Sequence, residues 1–167
     1  PCPGRVMVNN PRWRLSGAQM RQRIDGWIHD SDGETMMELA IFCDAEAVCG
    51  DAGLLDDCRS YLRDGLQDDA AFFSRFARAI GQFDTPLGPF SRLRTREHDG
   101  RELLDLKKGG IFPLVHGLRA LALEHGVREA SSQQRARRLA EAGQLDPALA
   151  DDILEALAFL LQLKLDH

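Results

Sequence analysis

The chain has 167 residues, of which 44% are hydrophobic and 28% are charged, and its formal net charge at pH 7 is −5. This composition is typical of a globular domain large enough to bury its own core, and it excludes a disordered chain. The negative charge argues against broad binding to nucleic acid or to an anionic membrane. No apolar run reaches the length of a membrane span and the first ten residues, PCPGRVMVNN, lack a signal-peptide core, so we expect a cytoplasmic protein.

Four helices are predicted in the first half of the chain, after an extended lead-in over residues 1–15 that is rich in Pro and Asn. Ser16 followed by Gln19 is a capping-box pattern, which marks the start of the first helix. Asp32 is placed to cap the second helix. The four predicted helices cover about residues 17–29, 33–49, 51–64 and 70–80.

Asp44 lies among apolar residues of the predicted second helix. A buried carboxylate at this position would need a partner or a proton, and the alternative is a solvated residue on the polar strip of the helix. Cys43, Cys49 and Cys58 lie in apolar stretches and are interpreted as core thiols, because no Cys and His spacing is typical of a zinc site.

A β-hairpin is predicted over about residues 90–107, turning on Asp99-Gly100, a dipeptide suited to a tight turn. With that turn His98 pairs with Arg101. Stepping outward, the expected pairs are Thr95 with Leu104, Arg94 with Asp105, and Leu93 with Leu106. From Ser91 to Lys108 there are six cations and four acids, so the positive charge is local. Such a ribbon suits a triphosphate or an acidic partner, and the alternative is an edge hairpin kept soluble by its charges.

The hairpin is expected to pass into a helix at Lys107-Lys108-Gly109-Gly110, since the apolar residues that follow recur at helical spacing. Two cations, two glycines and the N–H groups of a helix start are features of an anion or phosphate site. The alternative is a junction whose lysines point into water.

Three further helices are predicted, over about residues 110–125, 131–142 and 147–165. Ser131 with Gln134 forms another capping box, and Asp146 precedes Pro147 as an N-cap. The last helix is apolar nearly all round near its end, so it is either buried or covered by a partner. The predicted fold is therefore an all-α bundle of about seven helices with one short β-hairpin.

Four blocks of sequence, in order, resemble a family of nucleotidyltransferase substrate-binding domains. The blocks are CPGRVMVNNPRWR (Cys2–Arg14), IFCDAEAVCGD (Ile41–Asp51), PLGPFSRLRT (Pro86–Thr95) and LDLKKGGIFPLVHGLRALALEHGV (Leu104–Val127). In bacterial signalling proteins this domain follows a nucleotidyltransferase domain similar to that of protein-PII uridylyltransferase, often with cyclic-nucleotide-binding and CBS domains upstream. The resemblance implies that residues 16–167 are a helical substrate-binding domain and that residues 1–15 lead in from a missing nucleotidyltransferase domain.

The resemblance also implies site residues. Asp44 matches the acid of the family's Phe-x-Asp block, and the block around the hairpin supplies the rest. Departures are Arg5 in place of a usual glycine, Glu46 in place of arginine and His116 in place of aspartate. The residues assigned to substrate binding, from this match and from the local charge, are Asp44, Arg92, Arg94, Asp105, Lys107, Lys108, Gly109 and Gly110.

Nucleotidyl transfer needs a Gly-Ser turn for the triphosphate and an Asp-x-Asp pair for Mg²⁺. The Asp-x-Asp of this chain, Asp30-Ser31-Asp32, lies in a predicted helix–helix turn and is interpreted as a cap. We therefore expect no catalytic or metal-binding residue here, and Mg²⁺ and a nucleoside triphosphate are implied only for the intact protein.

Because the chain begins at Pro1, it is expected to be a piece of a longer protein. Its expected partners are the missing nucleotidyltransferase domain, an acceptor protein and a second copy of the chain. The alternative function is a non-catalytic helical module that dimerises or relays signals from upstream sensor domains.

Overall fold

A computed structural model describes residues 10–30, 32–67, 69–78, 95–98 and 101–166, and this part of the chain is predominantly helical. It contains a 3-10 turn at Pro11–Trp13 and a π-helical turn at Lys107–Ile111. The seven α-helices of the described part are α1 (Gly17–His29), α2 (Gly33–Cys43), α3 (Gly53–Gly65), α4 (Ala70–Arg78), α5 (Phe112–Glu124), α6 (Ser132–Glu141) and α7 (Pro147–Leu165). The predicted all-α bundle of seven helices is confirmed, and none of the described helices is long and apolar enough to cross a membrane.

The chain divides into two units, Pro1–Phe72 and Phe73–His167. In the first unit α1 packs against α2 and α3. Ile24 and Trp27 of α1 and Leu39 of α2 are almost completely buried. The rings of Trp27 and Phe42 lie 5.3 Å apart in a tilted arrangement. Apolar residues at helical spacing on α1 and α2 thus meet to form the core of this unit.

In the second unit α5 packs against α6, and α6 packs against α7. The core is a cluster of small and branched apolar residues contributed by these helices and the loop before α7. Its buried members are Leu118, Ala136, Leu139, Leu145 and Ala150.

The helix starts follow the capping signals of the sequence. Ser16 accepts a hydrogen bond from the Gln19 N–H while the Gln19 side chain accepts one from the Ser16 N–H, so the capping box of α1 is confirmed. Ser131 accepts from the Gln134 N–H at 3.2 Å, and Asp146 accepts from the Ala148 and Leu149 N–H groups. These bonds satisfy donors that the first turn of a helix leaves without partners.

The predicted extension of the second helix to Cys49 is wrong, because α2 ends at Cys43. The Arg59 side chain of α3 donates a hydrogen bond to the Ala45 carbonyl, which satisfies a backbone group that leaves the helix. Val48 is 94% exposed and Cys49 is also exposed. Cys49 is therefore not a core thiol, whereas Cys58 is buried and Cys43 is partly buried.

The predicted β-hairpin over about residues 90–107 is also wrong. Pairing in the described part is limited to three residues a strand, β1 (Arg96–His98) and β2 (Arg101–Leu103), with His98 opposite Arg101. Leu104 and Asp105 lie in no strand, and Leu106 is already helical. Leu93, the expected partner of Leu106, lies outside the described residues.

The physical reason is the side chain of Asp105. Its Oδ1 accepts a hydrogen bond from the Lys108 N–H at 2.9 Å, and its carbonyl accepts one from the Gly109 N–H, also at 2.9 Å. This local cap starts a helical turn, which overrides the alternation of Leu104 and Leu106 that predicted a strand. A ladder of three residues forms no separate layer, so the second unit is built from helices.

Candidate functional site

The residues predicted to bind substrate fall in three places. Five of them, Asp105, Lys107, Lys108, Gly109 and Gly110, lie together just before α5 in the second unit. Asp44 lies in the first unit, at the C-terminal cap of α2. Arg92 and Arg94 lie outside the described residues.

Lys107 and Lys108 begin the π-helical turn and both are exposed. Asp105 caps this turn through its bond to the Lys108 N–H. The Lys108 and Gly109 amides are thus engaged by Asp105 itself, and a negative ligand would meet the lysine ammonium groups before these amides. An anion site here would be made by the two side chains more than by the helix start.

The π-helical turn is the second feature of this site. The Phe112 N–H donates to the Lys107 carbonyl, five residues back. Pro113 follows in the first turn of α5 and has no N–H, so it cannot donate to the Gly109 carbonyl in the usual pattern. The turn therefore carries one more residue than an α-helical turn, and turns of this kind are frequent at functional sites.

Gly110 lies against a side chain of α7. A Cβ added at Gly110 would lie 2.9 Å from Leu160 Cδ1 and 3.2 Å from Leu160 Cδ2. This close approach gives the glycine a packing role that the sequence did not indicate.

Asp44 is exposed, and its backbone N–H donates to the Ile41 and Phe42 carbonyls. The exposure agrees with a solvated residue and not with a carboxylate buried among Phe42, Cys43 and Val48. Asp44 therefore lies exposed at the C-terminal end of α2.

A charged cleft of about 550 Å³ in the first unit was not predicted. Among its lining residues, Glu38 accepts hydrogen bonds from Arg23 Nη1 at 2.9 Å and from the Trp27 indole N–H at 3.2 Å. Arg12 pairs with Glu34 and lies 3.4 Å from Glu38. The hydrogen bond from Arg12 to Glu34 raises the pKa of the Arg12 guanidinium.

One signal could have indicated this cluster. Glu34 and Glu38 are four residues apart on α2, and Arg23 and Trp27 are four residues apart on α1, so each pair lies on one helix face. Neither spacing predicts that the two helix faces contact each other, because this contact forms only in the tertiary structure. Because the acids are paired with arginines, the cluster joins the 3-10 turn, α1 and α2.

Asp30 and Asp32 accept local backbone hydrogen bonds at the start of α2. Asp32 Oδ1 accepts from the Thr35 N–H at 2.7 Å, and Asp30 Oδ1 accepts from the Asp32 N–H at 3.2 Å. The bond from the Thr35 N–H holds the pKa of the Asp32 carboxyl below its usual value. The interpretation of Asp32 as a helix cap is confirmed.

A Mg²⁺ ion has no matching set of ligands among the described residues. No group of three His, Cys, Asp or Glu side chains in this part of the chain could hold a metal ion. The lysines at residues 107 and 108 suit the phosphates of a nucleotide, but carboxylates, which Mg²⁺ prefers, do not converge beside them in the described part.

Comparisons with known proteins agree with this division of the chain. The family described as “Putative nucleotidyltransferase substrate binding domain” matches residues 70–167, a range that begins near the boundary between the two units. A second family, described as a “Putative nucleotidyltransferase”, matches residues 1–34. Searches of curated proteins and of solved structures match nothing. Since the first family covers more than half of the sequence, the chain belongs to the “Putative nucleotidyltransferase substrate binding domain” family.

Proposed function

We propose that this chain is the substrate-binding part of a cytoplasmic nucleotidyltransferase that resembles protein-PII uridylyltransferase and acts in signal transduction. In this proposal the chain is not catalytic alone, and an associated nucleotidyltransferase domain supplies the chemistry. The observation that carries the proposal is the pair of exposed lysines, Lys107 and Lys108, on a capped π-helical turn inside the family match.

The proposed role of the lysine pair is to hold phosphate oxygens of a nucleoside triphosphate or carboxylates of an acceptor protein. Asp105 orients the pair, because it caps the turn on which both lysines stand. Gly109 has no side chain that would keep a ligand away from the backbone. Asp44, Arg92 and Arg94 stay predictions from the sequence, and Mg²⁺ is assigned to the associated domain.

The test replaces both lysines by alanine in the 167-residue chain and measures binding of ATP, UTP, GTP and CTP by calorimetry and NMR. We expect about tenfold weaker binding, or more, because each ammonium makes a charge-assisted contact with phosphate. Lys164→Ala, which removes an exposed lysine at the end of α7, is the matched control and should bind normally. Unchanged affinity in the Lys107→Ala/Lys108→Ala chain would contradict the proposal.

A second candidate, a non-catalytic module that forms a homodimer or relays signals, is favoured by one observation. Near the end of α7, Phe159 is 61% exposed and Leu165 is 86% exposed. Large exposed apolar side chains are a feature of contact surfaces. Sedimentation equilibrium of the chain tests this candidate: a dimer that Phe159→Ser weakens supports it, and a monomer at all concentrations argues against it.

A further inference from the structure

Gly110 lies where the π-helical turn and α7 pack together. Leu160 occupies the space that a side chain at this position would need, since an added Cβ would lie 2.9 Å from its Cδ1 and 3.2 Å from its Cδ2. Carbon atoms prefer a separation of about 3.5–4.0 Å. A side chain at residue 110 would therefore force the end of the Leu160 side chain to shift.

Leu160 also links the turn to the core of the second unit. It lies on the same face of α7 as Ile153 and Leu157, which are seven and three residues earlier in the helix, respectively. Ile153 packs against the core cluster and Leu157 is 8% exposed. The face of α7 that is anchored in the core thus continues to Gly110.

The π-helical turn determines the direction of the lysine side chains. It inserts one residue into the helical path before α5, and one residue corresponds to a rotation of about 100° in an α-helix. If the turn relaxed to α-helical geometry, Lys107 and Lys108 would be rotated by about this amount relative to α5.

We infer that Gly110 is a positioning residue: by admitting Leu160, it holds the π-helical turn against α7 and so fixes the direction of Lys107 and Lys108. This inference rests on the proposed function, in which the two lysines bind an anionic group. Gly110 acts through packing and does not itself need to touch the substrate.

The test uses the 167-residue chain with inorganic tripolyphosphate as the probe. Gly110→Val places a branched side chain against Leu160, and Gly110→Ala is a milder variant for the case in which valine prevents folding. We expect the amide NMR signals of Lys107 and Lys108 to shift, the Phe112 N–H to exchange faster, and tripolyphosphate affinity to fall about tenfold.

A second change at Leu160 separates positioning from a general loss of structure. Leu160→Ala removes the methyl groups that the new side chain meets, so Gly110→Val/Leu160→Ala should recover both the lysine amide signals and the affinity. Gly26→Val is the matched control, because a Cβ at Gly26 has no atom within 4 Å. It should leave the Lys107 and Lys108 signals and the affinity unchanged.

The outcomes also separate this inference from the proposed function. If Lys107→Ala/Lys108→Ala lowers the affinity for tripolyphosphate but the Gly110 variants change neither the lysine signals nor the affinity, the positioning role is overturned and the proposed function stands. If the lysine variant binds as well as the original chain, the proposed function fails, and the positioning role fails with it. If Gly110→Val lowers the affinity for tripolyphosphate and the added Leu160→Ala change restores it, the result supports both the positioning role and the proposed function.

Discussion

Glu38 shows how one largely buried carboxylate is stabilised in this chain. Its side chain is 14% exposed, and Oε2 accepts from the Arg23 guanidinium and the Trp27 indole. A buried charge is costly unless it has an opposite charge and hydrogen bonds, and Glu38 has both. The same carboxylate is the hydrogen-bond acceptor for Trp27, which is 1% exposed and would otherwise bury an indole N–H without an acceptor.

Replacing Glu38 by alanine is therefore expected to destabilise the chain by about 1–3 kcal/mol, the usual cost of leaving a buried donor without its partner. The free energy of unfolding in urea measures the effect. Glu34→Ala is the matched control, because the Glu34 side chain is 70% exposed and its ion pair with Arg12 is open to water. Equal effects of the two substitutions would contradict the central role of Glu38.

His116 is a second buried polar residue, and its neighbours determine which ring nitrogen carries the proton. It is 2% exposed, and its Nε2 lies 2.8 Å from the Phe76 carbonyl, which can only accept a hydrogen bond. Its Nδ1 lies 3.2 Å from Arg119 Nη1, which can only donate. These contacts require the neutral tautomer with the proton on Nε2, and His116 joins α4 to α5 within the second unit.

In the described part of the chain, three glycines that end a helical or loop segment have a positive φ angle. Gly50, Gly126 and Gly143 have φ values of 81°, 68° and 70°. After α5 the Val127 N–H donates to the Ala122 carbonyl at 2.8 Å, and after α6 the Gln144 N–H donates to the Leu139 carbonyl at 2.9 Å. These bonds reach back five residues and close the helix ends around a left-handed residue, a conformation that side chains disfavour.

Gly126→Ala and Gly143→Ala are each expected to lower the free energy of unfolding by about 1–2 kcal/mol, because alanine in the left-handed region is strained. Gly26→Ala should act in the opposite direction and stabilise by about 0.5–1 kcal/mol, since Gly26 lies inside α1 with open space around it. Urea unfolding of the three variants measures both effects. Similar changes at all three positions would show that the φ angle is not the cause.

The second unit has a core of its own. Leu118 of α5, Leu139 of α6 and Ala150 of α7 are buried in one cluster, and the family match begins at residue 70, where α4 starts. A domain of about this size can bury enough apolar surface to fold alone. The range of the family match and the buried core cluster thus coincide in the same part of the chain.

A fragment of residues 70–167 is therefore expected to fold by itself. Its far-UV circular dichroism should be helical and its amide NMR signals well dispersed. Leu139→Asp in the same fragment is the control, because it places a charge at a fully buried core position and should abolish the structure. A disordered fragment, beside a folded 167-residue chain, would show that the core cluster is not sufficient.

The sequence alone was enough to place most helix starts and to indicate the family. Capping bonds such as Ser16 to Gln19 and Asp32 to Thr35 join residues three apart, so the amino-acid pattern contains them. The prediction of a hairpin over residues 90–107 is wrong because Asp105 also makes such a local bond, and this bond outweighs the strand-like alternation of Leu104 and Leu106.

The tertiary structure decided the features that depend on residues far apart in the chain. The end of α2 is accompanied by a hydrogen bond from Arg59, fourteen residues beyond Ala45, and Gly110 packs against Leu160 on another helix. Glu38 finds Arg23 and Trp27 only after α1 and α2 have packed. Periodicity and capping describe one segment at a time, whereas these contacts arise only when separate segments meet, and no single-segment pattern determines which side chains will do so.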